Sequence, residues 1–229
     1  MEEAKLTRGG SLLRLGGFLA ALLGVSGWKL AQSEGSGPAA VASGAVTCVL
    51  TPEQTEGPYY IANEKVRRNI TEGRPGAPLV LRLFVVDAST CRPIRGAAVD
   101  IWHADAGGVY SGFGSGSGNR TFMRGIQRTD AKGLARFRTV YPGRYRGRAV
   151  HIHVKVHVGG NVVHTGQLYF PDSWTDRVFR RRPYSRRPNR DTRNATDFVF
   201  RSGGRRSLLG LRKSAGLYVG TIRMGVHRT

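Results

Sequence analysis

The sequence predicts an all-β fold, an antiparallel β-sandwich with long loops. Three observations carry this expectation. The 229 residues include 32 glycines and 10 prolines, a density of turn-forming residues that cuts the chain into short segments. Between the cuts lie apolar-rich runs, several of them alternating with polar residues as a half-buried strand does. The body of the chain lacks any long 3.6-residue period. At 40% hydrophobic residues, the chain can fill the core of one domain.

Residues 1–46 stand apart from that domain, which is placed at residues 47–229. Arg8 and Arg14 flank a glycine-rich start, an apolar run extends from Leu12 to Trp28, and a Gly/Ser/Ala linker covers Ser33 to Ala45. Ala40-Val41-Ala42 offers a small-x-small cleavage site. The segment resembles an export signal and predicts a secreted, periplasmic or cell-surface protein. Thr7-Arg8-Gly9-Gly10 stands where a twin-arginine (Tat) motif would, with one arginine only, so the Tat route is the weaker expectation. The competing reading is an uncleaved membrane anchor, for which the run is short and glycine-rich. Two cysteines, Cys48 and Cys91, suit export, and an even count in an exported chain favours one disulfide.

Five strands follow from the pattern: Leu79–Ala88, Ala97–Ala104, Ala149–Val158, Asn161–Phe170 and Leu217–Val226. The third and fourth read as a hairpin about Gly159-Gly160. Arginine then concentrates between Arg177 and Arg206, interleaved with proline, which predicts a long basic loop. The net charge of +21 raises the question of nucleic acid. No helix-turn-helix, zinc-finger or RNP pattern accompanies it, and export argues against such a partner. Nonspecific adhesion to anionic surfaces is the reading of the charge that remains. No nucleotide-binding loop, Ser-His-Asp arrangement or internal repeat stands out.

The densest chemistry lies in PGRYRGRAVHIHV, Pro142 to Val154. His151 and His153 are two apart, so a strand presents both on one face, where they can grip one metal ion. Tyr145 can reach the same point across a turn at Gly147. Tyr110, after the Gly107-Gly108 turn, is a second phenol. Phenolate is a hard anionic donor, and paired with imidazole it favours ferric iron over zinc or magnesium. Zinc or copper on the two histidines alone is the competing site. An iron-free β-sandwich module holding anionic surfaces through its basic loop is the competing protein. Arg148, three residues before His151, adds a cation to the same stretch. His103 reads as structural, because Trp102 and His103 point to opposite strand faces and only one can enter the core. His157, His164 and His227 lack comparable spacing.

These motifs, in this order, resemble the intradiol ring-cleavage dioxygenases. The resemblance rests on TEGPYY (Thr55 to Tyr60), GAAVDIWHADAGGVY (Gly96 to Tyr110), PGRY (Pro142 to Tyr145), RAVHIH (Arg148 to His153) and GQLYF (Gly166 to Phe170). It extends from about Thr51 to Val226. It implies an Fe(III) cofactor bound by Tyr110, Tyr145, His151 and His153 with a solvent hydroxide, Tyr145 and His153 being axial. It implies Tyr145, Arg148 and Gln167 as catalytic residues, Tyr145 acting also as a base, and Tyr59 and Tyr60 as pocket residues. The implied reaction inserts both atoms of O2 between the hydroxylated carbons of a small aromatic diol, giving a cis,cis-muconate-type diacid. The N-terminal helical region that the catechol branch uses to dimerise is not evident, so the oligomeric state stays open.

Overall fold

A computed structural model of the chain describes residues 48, 50–113 and 117–228. The expected export segment, residues 1–46, lies outside the described residues. Among the described residues, eight strands form two four-stranded sheets. One holds β1 (Pro78–Asp87), β4 (Leu134–Val140), β7 (Gly210–Ser214) and β8 (Leu217–Val226) in the order β4-β1-β8-β7. The other holds β2 (Ala98–Trp102), β3 (Arg124–Arg128), β5 (His151–Val158) and β6 (Asn161–Tyr169) in the order β3-β2-β5-β6. The sandwich is antiparallel as expected, except that β1 and β8 run parallel, from Leu79 against Tyr218 to Asp87 against Val226.

Alternation builds the core. Leu79, Leu81, Leu83 and Val85 of β1 point inward and are essentially inaccessible, and Val99, Ile101, Ile152, Val154 and Val156 meet them from the opposite sheet. Each fully buried aliphatic side chain of this kind contributes about 1.5–3 kcal/mol. All five expected strands form, and β5 and β6 join at Gly159-Gly160, both with φ in the left-handed region. β3, β4 and β7 were not anticipated. β3 reads RGIQR, with arginine at both ends. β4 alternates correctly, but Arg136 and Arg138 mark its outward face as basic rather than neutral polar. β7 is a short, exposed edge strand.

The basic stretch is only partly a loop. Helix α1 (Asp172–Phe179) takes in its first residues and helix α2 (Phe198–Arg201) interrupts it. Some of its charge is structural: Arg190, nearly buried, pairs with Asp172 and Asp176, and Arg193 shares Asp176. The disulfide Cys48–Cys91 closes a 43-residue separation. A cross-link over a loop of that size contributes about 2–4 kcal/mol.

The outer face of the β3-β2-β5-β6 sheet is also covered. Residues 50–66 cross it, with Gln54 N–H donating to Thr165 O (2.9 Å), Gln167 Nε2 to Thr55 O (3.0 Å), and Val66 bridging to Ile126. Both Trp102 and His103 are therefore buried, which corrects the expectation that only one of them could be. His103 is structural: Nδ1 lies 2.8 Å from Ala104 O and Nε2 2.8 Å from Thr139 Oγ1.

This cover also buries Asp100, whose carboxyl is raised to about 7. Burial is the main cause and the Glu64 carboxylate adds to it, while Tyr60, Lys155 and Arg124 oppose it. The folded chain thus holds this proton to higher pH than the unfolded chain does. The stability it contributes is complete below the ordinary aspartate range and is lost as pH rises through about 7. Asp100→Asn, which removes the ionisation, should gain roughly 1–3 kcal/mol relative to the native chain between about pH 5 and about pH 8. Urea midpoints at both values check this, and a pH-independent difference would contradict it.

Candidate active site

Strand register assembles one wall of the site. Trp102 of β2 lies opposite His153 of β5, which lies opposite Gln167 of β6, so three strands contribute one row on the covered face. His151 and Tyr169 form the next row. The indole of Trp102 stacks on the His153 ring, centroids 4.9 Å apart and 8° from parallel. The Nε2 atoms of His151 and His153 approach to 3.1 Å, and Tyr145 Oη lies 3.1 Å from His151 Nε2. His151 Nδ1 is 2.6 Å from Ala149 O, which fixes the proton on Nδ1 and leaves the Nε2 lone pair facing the cavity.

The two phenols arrive on loops. Asp105 shapes the first: Oδ1 accepts from Gly107 N–H (2.9 Å) and Val109 N–H (3.0 Å), and Oδ2 accepts from Arg74 Nη2 (2.6 Å). Buried Arg124 anchors the residue after Tyr110, donating from Nη2 to Ser111 O (2.7 Å), and holds the covering segment from Nη1 to Tyr59 O (2.7 Å). Tyr59 then stacks on Tyr110 at 4.3 Å. The second loop carries Tyr145 and lies backbone to backbone against the first. A Cβ at Gly143 would meet Ala106 O at 2.4 Å, and one at Gly108 would meet Arg144 O at 2.1 Å. Glycine at these two positions is what allows the phenols to converge, with rings 5.6 Å apart.

Arg148 is held by three partners. Nε donates to Asp197 Oδ2 (2.9 Å), Nη2 donates to Gln167 Oε1 and Tyr169 Oη, and Nη1 is left 3.5 Å from Tyr145 Oη. Asp197 is fully buried. It also accepts from Ala149 N–H (2.7 Å) and caps α2 through Val199 and Phe200 N–H. Burial works against its charge, but Arg148 and these N–H groups outweigh it and keep the carboxyl below its usual range. The Gln167 amide is fully oriented, its Oε1 taking Arg148 and Tyr169 and its Nε2 giving to Thr55 O.

Burial dominates the electrostatics of the site. Burial, with Arg148 second, pulls His151 down to about 3, and burial with His151 beside it pulls His153 well below its ordinary value. Both imidazoles are neutral at physiological pH. Burial raises both phenols, Tyr145 less so because Arg148 opposes it. The Tyr110 hydroxyl is buried beside that of Tyr145 without a hydrogen bond of good geometry. A buried hydroxyl with no good partner, a second phenol and two neutral imidazoles, with the His151 Nε2 lone pair turned inward, make a donor set that suits a hard trivalent cation. A bound cation would invert the pKa logic and ionise the phenols. The residues present therefore fit iron(III). Among the described residues, no three His, Cys, Asp or Glu side chains gather as a separate metal cluster.

Tyr110, Tyr145, Arg148, His151, His153 and Gln167 thus all face one region, linked directly or through one neighbour. Sequence reasoning missed Asp197, Tyr169, Asp105 and Arg124. Asp105 was findable as an Asx-turn residue two before a Gly-Gly pair. Asp197 carried no local signal, since it lies far along the chain inside the arginine-rich stretch. Gly143→Ala should force the two tyrosine loops apart. Its expected outcome is a thermal midpoint lower by several degrees, read by calorimetry. A native-like midpoint would contradict the close approach.

Comparison with known proteins bears on this arrangement. The family model described as "Dioxygenase" matches residues 55–180. Catechol 1,2-dioxygenase 2 of Acinetobacter lwoffii is 32% identical over 191 residues, 71% of this chain and 66% of that one. The solved intradiol ring-cleavage dioxygenase of Tetranychus urticae superposes with a TM-score of 0.76 at 36% identity, covering 79% of this chain and 95% of that one. The dioxygenase domain of a carbohydrate-binding fusion from Streptomyces sp. SirexAA-E gives 0.63 at 33% identity, over 79% of this chain and all of that domain. The chain spans 40% to 66% of the length of the two Acinetobacter lwoffii catechol 1,2-dioxygenases it matches. The family model alone accounts for more than half of the 229 residues, within a sandwich that superposes on solved ring-cleaving enzymes, and the chain belongs to the intradiol ring-cleavage dioxygenase family.

Proposed function

We propose that this protein is a non-haem Fe(III) intradiol dioxygenase. Its substrates would be a catechol-type aromatic diol and O2, and its product a cis,cis-muconate-type diacid. The convergence of the Tyr110 and Tyr145 phenols with the His151 and His153 imidazoles, beside the Arg148 amino group that reaches Tyr145 Oη, carries this reading. Iron(III), when bound, would supply a Lewis acid that takes both diol oxygens and draws electron density from the ring.

The chain's own residues supply the rest. Tyr145 Oη, next to Arg148 Nη1, is placed to accept a proton from the diol. The Arg148 guanidinium is fixed by Asp197, Gln167 and Tyr169, so it can stabilise charge on the ring without reorganising. Gln167 acts through Arg148 rather than on the ring. Trp102 and Tyr59 wall the site with aromatic surface and exclude water from His153 and Tyr110. The names of the catechol relatives support a dihydroxybenzene substrate. The composition of residues 1–46 supports export as part of the same proposal. Sequencing the mature N-terminus from culture fluid checks it, and a protein retained intact in the cytoplasm would contradict it.

Purified iron-loaded protein should show a visible phenolate-to-iron band that shifts when catechol is added. Tyr110→Phe should lose most of its iron and the band. Arg148→Ala should keep both while kcat falls by about 10²–10³. Oxygen uptake across catechol, protocatechuate and hydroxyquinol measures the rate. An iron-loaded but colourless protein, or full turnover without Arg148, would overturn the assignment.

A further inference from the structure

We propose that the arginine-rich stretch builds a second binding pocket, separate from the iron cavity, for a carboxylate carried on a single aromatic ring. The pocket has a volume of about 240 Å³. Pockets for drug-sized ligands run from about 300 to 1,000 Å³, so this one suits one substituted ring. Arg74, Arg144, Arg186 and Arg187 line it around an apolar floor that includes Pro75 and Pro183, with the Phe179 and Tyr184 rings buried beneath. None of Tyr110, Tyr145, Arg148, His151, His153 or Gln167 lines it.

The charges of these four arginines are incompletely answered. Arg74 pairs with Asp105 at 2.6 Å, and Arg144 lies 3.6 Å from Asp191. Arg187 spends one amino group on Gly107 O (2.9 Å). The Arg186 guanidinium is exposed and has no ion pair or hydrogen bond among the described residues. Four cations thus face two carboxylates, Asp105 in the lining and Asp191 outside it, across the apolar floor. An anion of the phosphate type would leave the apolar floor uncovered, and a neutral ring would leave the arginines unanswered. A ring bearing a carboxylate satisfies both, the guanidinium forks taking the carboxylate oxygens. The inference does not depend on the reaction assigned above. It does place the pocket behind the catalytic loops, since Gly107 lies on the Tyr110 loop and Arg144 precedes Tyr145.

Titration calorimetry of the full-length protein with benzoate, inorganic phosphate and benzyl alcohol tests the pocket. Saturable benzoate binding is expected, about tenfold or more tighter than either comparison ligand. Arg186→Glu, whose side chain holds no other part of the protein, should weaken benzoate about tenfold, and Arg186→Glu/Arg187→Glu should abolish it. Arg148→Ala should leave the affinity unchanged. Benzoate affinity that survives the charge reversals, or falls with Arg148→Ala, would place the ligand in the iron cavity and overturn the proposal. Phosphate binding as tightly as benzoate would overturn it too, by reducing the pocket to a plain anion patch.

Discussion

Everything in this protein depends on β5 keeping its register while buried on both faces. Ile152, Val154 and Val156 enter the sandwich core, and His151, His153 and Lys155 point to the covered outer side. A slip of one residue would put imidazoles into hydrocarbon and aliphatics against the phenols. That outcome is costly on both faces, so the same hydrophobic force that closes the sandwich also aims the histidines. β2 and β6 then inherit their positions, because Trp102 and Gln167 are set by their pairing with His153.

Around that strand the protein tolerates an expensive arrangement of polar groups. Asp197 and Arg148 are both largely out of water, and an ion pair in such a place gains little net stability. What it gains is orientation. The carboxylate simultaneously takes Arg148, the Ala149 amide and the first turn of α2, so the guanidinium cannot rotate without breaking several bonds. The Gln167 amide closes the other side. A fixed cation beside a buried phenol is worth more to a reaction that builds negative charge than the same cation free in solvent.

Much of this was legible in the chain because it was periodic or local. The His151/His153 spacing, the Gly159-Gly160 turn and five of the strands each express a rule that acts over a few residues. Four kinds of feature were hidden. β4 was obscured because its outward residues are Arg136 and Arg138, and β3 because it is bounded by arginines in a sequence already saturated with them. The burial of both Trp102 and His103 depends on residues 50–66 crossing the sheet, a tertiary event that the alternation of β2 cannot report. Asp197 reaches the site only through the path of the chain after α1. The parallel pairing of β1 with β8 likewise has no signature in either strand alone.

That parallel pair orders the steps by which the fold can be completed. The sheet that carries the imidazoles has all its strands once β6 is made, although the chain passes through β4 of the facing sheet between β3 and β5. The facing sheet cannot close until β8 arrives to occupy the flank of β1, from Leu79 against Tyr218 onward. Long-range pairing of this kind is slow. During synthesis the aliphatic flank of β1 stays open, and with it half of the core, until nearly the whole described chain has emerged. The sheet that holds the histidines can therefore be complete while the facing sheet still waits for its last strand.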